Sequence, residues 1–418
     1  MTIADLALAR LRDPRLVEDY LANSQKFPHT RTGLADGRPG LALLFASLSR
    51  ANGELRADAH AWLRASASAP PDCAGRGLYS GVASIGIAAA TAAVDERDYR
   101  RLLRSADSRV RDIVLGLVDT DLRRTDEQAL GSPSELHDVI SGTSGLGRYL
   151  LCRLLADDRN EKALRRVLTQ LVALTRDVRV HGAVVPGWWT AEPVRGHEFT
   201  YGHFNLGMAH GIAGPLAMLS LALLREVRVA GHEEAVSRIA SWLESRCLRD
   251  SHGPHWPGVV SHEEEVSGGL RERPATRNSW CYGTPGIARA VQLAGMALGE
   301  PRWQRLAVEA ALAAARRPGS AEQLAGPGLC HGAAGWLHCT ALITADSGDA
   351  ELTELIPSLV DGVLAHADAS RTFVFGGGSA DPPGFLDGAA GAVLALWHVR
   401  HPASLEGEPQ WDAALLLR

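Results

Sequence analysis

The sequence predicts an all-α fold, a double-layered ring of seven inner and seven outer helices. Three observations predict it. A Gly-x-x-Gly unit or a close variant recurs seven times along the 418 residues. Each unit leads straight into a short segment of Ala and Leu, apolar on every side, which reads as a buried helix. In most units a polar turn and a charged amphipathic helix follow, with apolar residues at three- and four-residue spacing. An all-round apolar helix must be covered, and its amphipathic successor is the nearest cover. Closing the resulting pairs into a ring hides the open ends that a solenoid must cap.

In chain order the glycine units are Gly37-Arg-Pro-Gly40, the looser Ser80-Gly-Val-Ala-Ser-Ile-Gly86, Gly142-Thr-Ser-Gly145, Gly211-Ile-Ala-Gly214, Gly283-Thr-Pro-Gly286, Gly332-Ala-Ala-Gly335 and Gly388-Ala-Ala-Gly391. They lie roughly 45 to 70 residues apart, so no single solenoid period is present. The inner helices are expected over 41–48, 85–94, 146–155, 215–224, 287–298, 336–343 and 392–397. Outer helices are expected over 161–176, 233–247, 302–316 and 350–367. Pro215 suits the first turn of its helix.

One stretch departs from this alternation. Residues 177–207 are punctuated by Pro and Gly and hold Trp188-Trp189, Pro193, His197, Tyr201, His203 and Phe204. They lean toward β structure and are too long for a plain connector. They read either as an inserted element or lid, or as a long ordered surface loop. The whole of 1–418 is otherwise expected to be a single domain.

Apolar residues make up 46% of the chain and charged residues 22%, an ordinary globular balance. A net charge of -5 gives no basic surface for nucleic acid. The longest apolar run, near Leu216 to Leu224, ends at Arg225 and is too short to span a bilayer. The first residues carry no signal-peptide pattern. Six cysteines are too few for a disulfide scaffold. A reducing, cytoplasmic setting follows, where free cysteines more often serve metal binding or catalysis.

Cys330-His331 opens Cys-His-Gly-Ala-Ala-Gly, and Cys281 opens Cys-Tyr-Gly-Thr-Pro-Gly. Both cysteines stand two residues before a glycine unit. Two thiols and one imidazole are one ligand short of a closed structural zinc site, which is the count of a site with an open position. The alternative is two inert buried cysteines and a core histidine; the shared offset favours the metal. Two thiolates make zinc a weak activator of water but a good holder of a further thiolate, so the set suits sulfur addition better than hydrolysis.

His210 stands one residue before Gly211, the same offset that His331 has before Gly332. It reads as a proton donor or acceptor, or as a packing histidine. Asp138 could orient His210 or another cation, or cap a turn. Around Cys281, Arg277 could stabilise an oxyanion, and Trp280 and Tyr282 could wall a pocket; otherwise they are a surface arginine and core aromatics. His338 and Cys339 read as core or supporting residues, and Cys73, Cys152 and Cys247 as inert. No dinucleotide fingerprint, phosphate loop or His-Glu-x-x-His motif is present.

These motifs carry a resemblance. Arg-Asn-Ser-Trp-Cys-Tyr-Gly-Thr-Pro-Gly, Leu-Cys-His-Gly-Ala-Ala-Gly and Asn-Leu-Gly-Met-Ala-His-Gly-Ile-Ala-Gly-Pro resemble the lanthionine synthetase C-like family, the lanthipeptide cyclases. The likeness runs from about Gly33 to Leu396, and the length is that of the stand-alone cyclases of class I systems. It implies an α/α toroid with one Zn²⁺ per chain, held by Cys281, Cys330 and His331. It implies addition of a cysteine thiolate to dehydroalanine or dehydrobutyrine in a dehydrated precursor peptide, leaving a lanthionine or methyllanthionine ring. His210 matches the family's acid/base histidine and Asp138 its carboxylate partner; Arg277, Trp280 and Tyr282 match positions around the first cysteine. The stand-alone relatives also carry an extra β-containing excursion, and the resemblance implies that 177–207 is part of it. A dehydratase and an export transporter are the implied partners, with action in the cytoplasm, alone or on the periphery of a membrane-bound complex.

Two rival readings remain at this level. One is a related enzyme that adds glutathione to dehydroamino acids. The other is a toroidal scaffold that binds peptides or partner enzymes and in which zinc is purely structural.

Overall fold

The computed structural model describes residues 2–23, 30–68, 75–126, 131–193, 199–378, 381–401 and 409–418. In chain order its helices are α1 (Ile3–Leu11), α2 (Pro14–Asn23), α3 (Arg38–Ser49), α4 (Arg56–Ser68), α5 (Gly81–Ala92), α6 (Arg100–Asp126), α7 (Ser134–His137), α8 (Thr143–Cys152), α9 (Asp158–Leu174), α10 (Ala213–Leu224), α11 (His232–Ser245), α12 (His262–Ser267), α13 (Thr284–Leu298), α14 (Pro301–Arg316), α15 (Ala333–Ser347), α16 (Ala350–Leu364) and α17 (Ala389–Arg400).

The expected ring is present. Helices α3, α5, α8, α10, α13, α15 and α17 each pack on the next, and α17 packs back on α3. Each carries one outer partner: α4, α6, α9, α11, α14 and α16 cover the first six. The seventh partner is the first helix of the chain: α1 packs on α17, and Arg10 Nη2 donates to the Ala369 carbonyl at 2.8 Å. The two ends of the chain thereby close the ring. Every residue of α10 except Leu224 is buried, whereas α9 buries a stripe through Ala163, Leu164, Val167, Leu168 and Leu171, the inner and outer patterns that periodicity predicts.

Most inner helices begin a few residues before the expected starts, because the glycine units form their first turns. Gly37, Gly142, Gly283, Gly332 and Gly388 are N-cap residues in extended conformation. Three residues on, the second glycine lies against a carbonyl of the preceding loop: a Cβ on Gly286 would strike the Trp280 carbonyl, and one on Gly335 that of Leu329. The second unit differs. Its N-cap is Ser80, its fourth position is Ala83, and Gly86 instead makes room for the Tyr149 ring.

Residues 177–207 form β1 (Asp177–Val180) and β2 (Ala183–Pro186), an antiparallel hairpin, and then β3 (His203–Asn205). The hairpin turns on His181 and Gly182, both at positive φ, as a two-residue type I′ loop requires. His197 and its neighbours in 194–198 lie outside the described residues. A second β segment, absent from the sequence expectation, follows α11. It comprises β4 (Leu248–Asp250), β5 (Gly253–His255) and β6 (Val259–Ser261), and β6 pairs antiparallel with β3.

The middle of the ring is filled. Residues 411–417 have no exposed surface and pack on α3, α5 and α8. The segment is tied to the inner layer at several points. Tyr79 Oη donates to the Ala414 carbonyl at 2.8 Å, Arg289 Nε to Leu417 at 2.9 Å, and Arg148 Nη2 to Arg418 at 2.7 Å. No helix among the described residues is long and apolar enough to cross a membrane.

Candidate metal centre and its surroundings

The seven loops that precede the inner helices are joined by a closed girdle of backbone hydrogen bonds, all running in one direction. Leu34 N–H donates to Tyr79 O, Tyr79 to Ile140, Val139 to Ala209, Met208 to Cys281, Cys281 to Cys330, Cys330 to Leu386, and Leu386 to Ala35, at 2.8 to 3.3 Å. Each contributes about 1 kcal/mol net. More important here, the girdle sets the loops in register, so equal offsets from the glycines become equal positions around one mouth.

Cys281 and Cys330 are consecutive members of the girdle. Their sulfurs and one His331 ring nitrogen all lie within 4.8 Å of one another. Cys281 is buried, while Cys330 and His331 are half-buried, so the cluster sits at the floor of an open mouth. The Cys330 S–H, with lesser help from His331 and Ser279, holds the Cys281 thiol down at about 4 against its burial. The resulting thiolate, together with burial, pushes Cys330 well up. Two sulfurs and an imidazole so disposed match the donor set of a thiophilic divalent ion with an open position.

One residue beyond each girdle position stand Asp36, Ser80, Ser141, His210, Tyr282, His331 and Asp387, every one half-buried. They form a polar rim around the cluster. His210 Nδ1 lies 2.5 Å from Asp138 Oδ2. Burial works against a charged imidazole, but the hydrogen bond to Asp138 and the carboxylate charge outweigh it, and the His210 pKa is raised. The other Asp138 oxygen accepts the N–H groups of Ser141 and Gly142, each at 2.7 Å. Asp138 thus caps the turn before α8 and at the same time hydrogen-bonds His210. The Tyr282 ring stacks on His210 with centroids 6.2 Å apart, and its hydroxyl accepts from Asn205 Nδ2 at 3.4 Å. Burial, with the nearby negative groups, raises the Tyr282 pKa. Arg277 is half-buried, and its charge helps lower the Cys281 thiol.

Trp280 stands apart from this group. It is fully buried, and its indole N–H donates to the Leu415 carbonyl at 3.0 Å, so it anchors the Cys281 loop to the central segment instead of walling the mouth. His338 and Cys339 are likewise core residues. Burial pushes the thiols of Cys339 and Cys247 up to about 12 and 11, in keeping with inert roles. Cys73 lies outside the described residues.

Two neighbours escaped the sequence reading. Asp387 Oδ1 lies 3.5 Å from His331 Nδ1. It stands one residue before Gly388, as His331 does before Gly332, and that offset would have found it. Asn205 reaches Tyr282 from β3, and no local pattern announces it.

A family model for lanthionine synthetase C-like protein matches residues 28–416. Among characterised proteins, nisin biosynthesis protein NisC of Lactococcus lactis subsp. lactis is 23% identical over 408 residues, covering 94% of this chain and 91% of the relative. The solved structure of nisin cyclase superposes with a TM-score of 0.76 at 20% identity, over 96% of each chain, and so shares the α/α toroid. With the family model spanning nearly its whole length, the chain belongs to the lanthionine synthetase C-like family.

Proposed function

We propose that this protein is a zinc-dependent lanthipeptide cyclase, forming lanthionine and methyllanthionine rings in a dehydrated precursor peptide. The observation that carries the reading is the Cys281–Cys330–His331 cluster at the floor of an open mouth, beside a carboxylate-oriented histidine. Cys281, Cys330 and His331 would hold one Zn²⁺, which when bound lowers the pKa of a substrate thiol in the open position and keeps it nucleophilic.

The remaining work falls to the chain's own side chains. The thiolate sulfur bonds to the β-carbon of dehydroalanine or dehydrobutyrine, and the displaced π electrons pass to the α-carbon and its carbonyl as an enolate. With Nδ1 committed to Asp138, His210 keeps Nε2 for the substrate and delivers a proton to the α-carbon. Its raised pKa maintains the imidazolium for that step. Arg277 offers positive charge to the enolate oxygen, and Tyr282 holds the His210 ring in place. The proton lost by the thiol replaces the one His210 gives, so the sum is an addition without change of mass.

The reading carries with it a dehydratase that prepares the peptide, an exporter downstream, action in the cytoplasm, and one catalytic domain over 1–418 with 177–207 as an insertion. Incubation with a dehydrated, cysteine-bearing precursor peptide tests it: the mass should stay constant while iodoacetamide alkylation disappears. Alkylation that persists in the presence of zinc counts against the cyclase, and a mass gain of one glutathione per site would identify the glutathione-adding activity instead.

A further inference from the structure

Neighbouring outer helices meet edge to edge in several places, as α6 does with α9 and α14 with α16. Helices α4 and α6 both pack on α5 yet stand apart from each other. The gap is a cavity of about 770 Å³. Its floor is apolar, built by Val82 and Ile85 of α5 and by Ile113 and Leu117 of α6. On its rim stand the exposed Arg76, Arg109 and Arg123. None of the three forms an ion pair among the described residues; Arg123 only reaches Thr120 Oγ1 at 3.5 Å. Among the described residues no acidic side chain lines the cavity. In a chain of net charge -5 these arginines make a positive strip over a partly buried apolar floor.

The position of the cleft is as informative as its chemistry. Gly81 and Val82 form the first turn of α5, two and three residues after Tyr79 of the girdle, so one end of the cleft lies at the end of the ring that holds the metal cluster. Along α6 it runs from Leu102 to Arg123, about 30 Å at ~1.5 Å per residue. A cleft of that length suits an extended chain of about nine residues. Three guanidiniums beside an apolar floor match carboxylates interleaved with apolar side chains.

We infer that the cleft between α4 and α6 is a docking groove for an extended segment of the substrate peptide, one that carries apolar side chains and carboxylates. The inference rests on the peptide-cyclase reading above, since it supposes that a peptide enters the mouth. The groove holds a part of the peptide remote from the reacting residues and raises the concentration of those residues at the cluster.

Fluorescence anisotropy of the full zinc-loaded chain tests it, with a fluorescein-labelled synthetic peptide alternating Leu and Glu and a control alternating Leu and Lys. The Leu/Glu peptide should bind about tenfold tighter than the control, and less tightly as salt rises. The triple charge reversal R76E/R109E/R123E, all at exposed positions, should remove or invert that preference. Val82→Trp, which fills the floor without changing charge, should weaken binding as well. With a dehydrated precursor peptide the triple variant should raise KM about tenfold at unchanged kcat. Equal binding of the two peptides, or binding and KM unchanged in a triple variant of wild-type thermal stability, overturns the groove. Binding needs neither thiol nor turnover, so a wild-type chain that binds the Leu/Glu peptide but closes no ring refutes the cyclase and leaves the groove standing.

Discussion

Two of the histidine–aspartate pairs among the described residues look alike and behave in opposite ways. At the mouth, His210 faces Asp138 at 2.5 Å, and the histidine side chain is 39% exposed. In the centre of the ring, His338 Nε2 faces Asp412 Oδ2 at 3.0 Å, and both side chains are wholly buried. Burial disfavours the imidazolium in each case, and the carboxylate favours it. At the mouth the carboxylate prevails and the pKa rises. In the centre burial prevails and the pKa of His338 falls. There the Asp412 carboxylate is shared with Arg418 at 3.3 Å, and His398 packs on His338 with ring centroids 4.8 Å apart. A histidine–carboxylate pair is thus not in itself an acid–base device; access to solvent and the number of cations sharing the carboxylate decide. The mouth pair leaves its imidazole accessible and readily protonated, as the proposed proton transfer requires, and the central pair holds the segment 409–418 in the ring.

The sharpest break between the two regions should come from Cys281→Ala. Bound zinc and ring closure should fall together to background, while the central segment stays folded; full zinc stoichiometry by metal analysis would remove Cys281 from the ligand set. Next, His210→Asn should keep zinc and slow ring closure by about 10²- to 10⁴-fold. In the wild type the rate should decline as pH rises above the ordinary histidine value of 6.5, through the raised His210 pKa, because the acid form is then lost. A His210→Asn profile that still shows this decline would assign it to another group.

Asp412→Ala should do the reverse, lowering unfolding free energy by about 2 to 3 kcal/mol by leaving the buried His338 Nε2 without its partner and Arg418 without its counter-charge, with little change in kcat per folded molecule. Acid should reach the same region. Burial lowers the pKa of both His338 and His398, the latter to about 3, so each binds a proton near pH 6.5 only when unfolded. Their contribution is present above the unfolded pKa and is lost as pH falls through it. His398 by itself should cost about 1.4 kcal/mol between pH 7.5 and 5.5, with His338 adding a loss of the same sign, measurable by urea unfolding; flat stability over that interval would contradict the burial assignment. The smallest effect belongs to Trp280→Phe, which deletes the hydrogen bond to Leu415 and should cost about 1 to 2 kcal/mol without loss of zinc.

Residues whose meaning is carried by periodicity or by offset from a glycine were legible beforehand. The seven inner helices follow from unbroken Ala/Leu runs. Cys281, Cys330, His331 and His210 announce themselves by standing one or two places before a glycine unit, and Asp387 obeys the same rule. Where the glycine pattern loosens, at Ser80 to Gly86, the reading loosened as well: Gly86 makes room for Tyr149, which packs on it from α8. The strands from 248 to 261 were not foreseen, since three-residue pieces such as Val259–Ser261 are too short to show a period.

The sequence by itself determined the layered helical architecture, the glycine-capped inner helices and the cysteine–histidine trio, because each is written in residues close along the chain. Only the tertiary structure decided that α1 serves as the seventh outer helix, that 411–417 fills the ring, that Trp280 anchors its loop, and that Asn205 reaches Tyr282. Those arrangements join residues far apart in sequence, where neither helical period nor glycine offset carries a signal. They follow instead from the closing of the ring, which leaves one central space to fill and one open mouth to line.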